Sequence, residues 1–72
     1  MLIKWQNTII NFDNFHEISL DEENCEIYAT YYAEKKIRVL VGRFTSLEQA
    51  RAEFKEIEDS LLDEHVGMYE VG

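Results

Sequence analysis

Two hydrophobic periods divide the chain. From Leu47 onward, Leu47, Ala50, Phe54, Ile57 and Leu61 recur at steps of three and four, which places them on one face of a 3.6-residue helix. Just ahead of them Ser46 can cap the first turn while Gln49 reaches back, and Thr45 with Glu48 offers the same S/T-x-x-E/Q box one residue earlier. The pattern predicts a helix over 46–63 whose apolar stripe needs a partner. Upstream the period falls to two. Leu2 to Trp5 and Thr8 to Asn11 read as a hairpin turned at Gln6-Asn7, and Asn11 to Asn14 suits a tight corner or a single helical turn. His16 to Leu20 reads as a strand with Ile18 and Leu20 on one face, followed by a polar turn over Asp21 to Asn24.

The strongest strand pattern follows. Glu26 to Ala33 alternates Ile27, Ala29 and Tyr31 against Tyr28, Thr30 and Tyr32; Ile37 to Phe44 alternates Ile37, Val39 and Val41 against Arg38, Leu40, Gly42 and Phe44. Glu34-Lys35-Lys36 joins them. Together these elements predict an α+β domain: an antiparallel β-meander of four or five strands with one C-terminal helix packed on one face. The whole of 1–72 is one domain, divided into a meander over 1–44, the helix over 46–63 and an apolar tail over 64–72. The meander has a second apolar face, Tyr28, Tyr32 and Leu40, and such a face on a small domain marks a contact. Val66, Met68, Tyr69 and Val71 make the tail too apolar for a loose end, so it docks on its own domain or reaches a neighbour.

The corner Ile10-Asn11-Phe12-Asp13-Asn14 and the strand-to-helix passage carrying Gly42, Phe44, Ser46, Glu48 and Ala50 resemble a broad class of small bacterial and phage proteins. Their layout is an N-terminal hairpin, a β-meander and a Ser-capped helix. The resemblance implies a meander-plus-helix fold and carries no activity, substrate or catalytic residue.

Charge narrows the partners. The chain of 72 residues has a net charge of −8, which opposes any role that engulfs a long nucleic acid. The charge is uneven: residues 13 to 26 hold Asp13, Glu17, Asp21, Glu22, Glu23 and Glu26 without a base, whereas 27 to 45 hold Lys35, Lys36, Arg38 and Arg43 against Glu34. Two acidic regions flank one basic strip. A domain this short buries only about 60% of its unfolded surface, and its single cysteine, Cys25, rules out an internal disulfide. Oligomerisation remains as the means of adding stability. With no signal-like leader and no apolar run of spanning length, the expected location is the cytoplasm, with no membrane partner.

The residues suggest no enzyme. Cys25 lies among Glu22, Glu23 and Glu26, whose charge opposes a thiolate. His16 and Glu17 alternate faces on one strand and cannot serve one reacting atom, and His65 falls at the helix end. Asp21-Glu22-Glu23-Asn24 lacks the spacing and central glycine of a calcium loop. No catalytic, metal or cofactor residue is assigned.

Three functions follow in order of expectation. The first is a non-enzymatic protein-interaction module that forms a homodimer or small oligomer through Tyr28, Tyr32, Leu40, Met68 and Tyr69. The second is a phage-type inhibitor of a host defence or nucleic-acid enzyme, whose acidic surface, Glu53, Glu56 and Asp59, imitates phosphates against a host protein with a basic surface. The third is an oligomer that binds or sequesters a nucleotide, with Arg38 as the anion-binding residue. Strict alternation puts Arg38 with Leu40 but Arg43 with Val41, so a regular strand splits the two arginines unless a bulge intervenes.

Overall fold

The computed structural model describes residues 1–63 and 65–72. Among them the order is β1 (Leu2–Trp5), β2 (Thr8–Asn11), a 3-10 turn (Phe12–Asn14), β3 (Glu17–Asp21), β4 (Glu26–Tyr32), β5 (Lys36–Arg43), α1 (Leu47–Leu61) and β6 (Met68–Glu70). The chain is α+β, as the two periods require. The strands form two sheets of three, ordered β2-β1-β6 and β3-β4-β5. The second is the expected antiparallel meander.

The extra strand comes from the tail, which docks in cis; its first residue, Glu64, lies outside the described residues. β1 is paired by β2 on one edge only, so its other edge holds unpaired amides and carbonyls that need partners. β6 supplies them, running parallel with Leu2 opposite Met68 and Lys4 opposite Glu70. The Leu2 amide donates to the Gly67 carbonyl at 2.9 Å, and the Val71 amide to that of Lys4 at 2.8 Å. Parallel neighbours need a long crossover, and here nearly the whole chain provides it.

Turns at both ends of the sheets rest on local chemistry. Gln6, first residue of the two-residue loop between β1 and β2, has φ 53°, the left-handed conformation that hairpin loops require. Between β3 and β4 the Asp21 carboxylate accepts the amides of Glu23 and Asn24 and the Asn24 side-chain amide, and Cys25 closes the loop at φ 55°. Cys25 thus holds a backbone position, and its carbonyl accepts the Phe44 amide at 3.0 Å.

α1 begins where the sequence placed it, with the Gln49 amide donating to Ser46 Oγ at 3.2 Å. Ala50 and Ile57 are buried and join Ile3, Ile27, Ala29, Val41 and Val71 as the buried apolar residues. Leu47 and Phe54 are partly buried. Leu61, expected in the core, is 37% exposed. The chain turns back here, and Val71 of the returning tail, not the last helical turn, completes the core.

Candidate interaction face

In the β3-β4-β5 sheet, Ile27 and Ala29 turn inward, and the alternate residues of β4 are therefore Glu26, Tyr28, Thr30 and Tyr32 on the other face. Register assigns them neighbours: Asp21, Ser19 and Glu17 on β3, and Arg43, Leu40, Arg38 and Lys36 on β5. Leu40 pairs with Tyr28 and Gly42 with Ile27, so Val41 has no partner of its own and forms a bulge. This irregularity overturns the split of the arginines expected from strict alternation. Val41 and Gly42 both serve the inner side, and Arg43 returns to the face that carries Arg38.

Glycine lets the strand beside the bulge pack closely. A Cβ on Gly42 would stand 2.9 Å from a Phe44 ring carbon and 3.4 Å from Val71, so any larger residue here would have to push the Phe44 ring aside.

The face is a connected polar and aromatic surface. Arg43 Nε donates to Glu26 Oε2 at 2.9 Å, and the Tyr28 hydroxyl donates to Glu26 Oε1 at 2.9 Å. The Arg38 guanidinium lies 3.9 Å from the Tyr28 ring centroid, within cation-π range. Glu26 is therefore a nearly buried carboxylate with two donors, as a buried charge requires. Its bond is the main cause that pushes the Tyr28 phenol above its ordinary value. The bonds from Asn24 hold Asp21 below its usual range, with Arg38 adding a smaller pull. Thr30 is completely buried at the centre, and its hydroxyl finds no partner among the described residues. Tyr32 is 50% exposed.

The five residues expected to form one interaction surface are divided by the fold. Tyr28, Tyr32 and Leu40 share the face just described, and none of them belongs to the core. Met68 belongs to the other sheet, where register groups it with Leu2 and, diagonally, Ile9; these are 50%, 37% and 56% exposed. Tyr69 turns inward instead. Its hydroxyl lies 2.9 Å from Glu53 Oε1 and 3.2 Å from Glu56 Oε2, and Glu53 also accepts the Gly72 amide at 3.1 Å. Burial, then Glu53 and Glu56, push this phenol far above its ordinary value.

The acidic trio is correspondingly occupied. Glu53 and Glu56 hold the tail, and Asp59 lies 3.8 Å from Lys55 one turn earlier. His16 Nδ1 accepts the Tyr32 amide at 3.1 Å, so this ring is a strand-end fastener. His65 is exposed, beyond the helix. Beside the face lies a shallow cleft of about 390 Å³ whose polar lining, Arg43, Thr45, Gln49 and Glu53, is already committed to internal bonds. No group of three or more His, Cys, Asp or Glu among the described residues is placed to hold a metal ion. Nor is any helix among them long and apolar enough to cross a membrane.

The sequence reading missed Leu2, Ile9, Glu26 and Thr30. Alternation could have placed Leu2 and Ile9 on one face, but Glu26 and Thr30 show their roles only once three strands are aligned. Comparison of the chain with protein-family models, with curated proteins and with solved structures finds no match.

Proposed function

We propose that the protein is a non-enzymatic interaction module that associates with itself. The observation that carries this reading is the outer face of the β3-β4-β5 sheet, where Tyr28, Tyr32 and Leu40 stand outside the core. A three-stranded sheet gains most when both faces are covered, and the one α-helix among the described residues packs on the inner side. The polar groups on the outer face fit contact better than catalysis. Glu26, Arg43 and Tyr28 satisfy one another, which leaves the Glu26 carboxylate held by two internal donors. Mimicry of phosphates through Glu53, Glu56 and Asp59 has less support, because the first two are drawn onto Tyr69.

Sedimentation or light scattering over a dilution series tests the proposal. The weight-average mass should climb towards twice the protomer mass as concentration rises. A single protomer mass up to about millimolar protein, where even weak contacts of small area become populated, would refute it.

A further inference from the structure

Self-association could use either exposed sheet face, and charge distinguishes them. On the outer face of β3-β4-β5, β3 contributes Glu17 and Asp21 and no base, while β5 contributes Lys36, Arg38 and Arg43 and no acid. The face is acidic along one edge and basic along the other, on a molecule of net charge −8. The other sheet's exposed face, with Leu2, Ile9 and Met68 beside Lys4 and Glu70, has no such separation of charge to orient a second copy.

We propose that a second copy of this chain docks face to face on this sheet, about a twofold axis that runs along β4. The inference rests on the self-association proposed above and names its surface. Two stacked sheets can be related by an axis along the strands or across them. An axis across the strands lays β3 on β3 and β5 on β5, so that like charges meet. An axis along β4 exchanges the edges and lays β3 on the partner's β5. Heights along the strands are unchanged by that rotation, so the register within one sheet becomes the register between copies. Glu17 and Arg38 flank Thr30 at one level, and Asp21 and Arg43 flank Glu26 at another. Glu17 therefore meets the partner's Arg38, and Asp21 meets the partner's Arg43, each contact occurring twice. Between these rows lie Tyr28 and Leu40, with Ser19 opposite, which form the apolar centre inside a charged rim.

The patch is small. Strands 4.8 Å apart with a rise of about 3.3 Å per residue give roughly 10–15 Å by 20–25 Å, below the size of stable specific interfaces and in the range of weak, transient ones. The complex should be weak, reversible and loosened by salt, since exposed charges are screened over about 10 Å at 0.1 M.

Charge exchange tests both the face and the axis. Glu17→Lys and Arg38→Glu each alter an exposed residue that caps no turn and neutralises no buried charge, so the circular dichroism should stay unchanged. Each variant alone should dimerise about tenfold more weakly than wild type, because both symmetry-related contacts become repulsive. An equimolar mixture should recover wild-type affinity as a heterodimer, and so should the two changes combined in one chain. Variants that weaken without recovery on mixing would overturn the axis. Dimers indifferent to both changes would overturn the face and leave self-association standing, as would loss of the dimer in Ile9→Lys on the other sheet. A wild-type chain that is monomeric throughout would defeat both proposals.

Discussion

Arg43 reaches Glu26 because Val41, two residues earlier, has no partner across the strand pair. The bulge shifts the end of β5 by one residue and sets a guanidinium opposite a carboxylate that is almost without solvent. Replacing Arg43 by Ala leaves Glu26 with the Tyr28 hydroxyl alone. Because Arg43 itself is mostly exposed, the loss should be about 1–2 kcal/mol in a urea titration rather than the larger cost of breaking a fully buried pair. Arg38→Ala removes the contact with the Tyr28 ring and a weak attraction to Asp21, and should cost less than about 1 kcal/mol.

Tyr69 ties the tail to α1. Tyr69→Phe removes the donor between Glu53 and Glu56 and should destabilise the fold by about 1–2 kcal/mol. The folded pKa of this phenol is raised above its ordinary value of 10.0, so its stabilising effect is complete below pH 10. That effect declines as pH rises from 10 towards the folded value, where only the unfolded chain ionises readily. Wild type should therefore lose stability steadily above pH 10 in thermal melts, and Tyr69→Phe should show a flatter alkaline profile.

Thr30 places an unpartnered hydroxyl in the middle of the sheet. Thr30→Val keeps the branched shape and removes the unsatisfied oxygen, so it should raise stability by about 1 kcal/mol. The comparison must be made at one protein concentration, since association adds its own stabilisation.

Gln6 occupies the left-handed region that costs an ordinary L-residue roughly 1–2 kcal/mol. Gln6→Gly removes that cost and pays back part of it in unfolded-chain entropy. A rise of a few degrees in Tm is expected.

Along α1 the cost of truncation should follow burial. Ile57→Ala should lose about 2–5 kcal/mol, Phe54→Ala less because the ring is only partly covered, and Leu61→Ala under about 1 kcal/mol. Equal losses at Ile57 and Leu61 would contradict the packing.

What the sequence disclosed was local. Ser46 caps its helix, Gln6-Asn7 turns its hairpin, and Tyr28, Tyr32 and Leu40 share a face, because each depends on neighbours a few positions away. The bulge was concealed by Val41, an apolar residue that suits regular alternation as well as a bulge; only Gly42, an isolated glycine in a strand, hinted at it. The tail was apolar enough to require docking, yet whether Tyr69 or Met68 faces inward depends on pairing with β1 across almost the full chain. No local pattern contains that register. Glu26 likewise reads as one more acid until three strands align around it.

The far edge of β1 is covered by the last strand to be reached. The β3-β4-β5 meander assembles from segments adjacent in sequence and needs only short loops to close, whereas β1 must wait for β6, the most distant pairing in the molecule. During that interval Ile3 lacks Val71 and the amides of β1 stand open to any strand nearby. The hairpin at the start of the chain is thus the segment most prone to foreign pairing while the protein is still immature, and Lys4 is the one charge along β1 that discourages it.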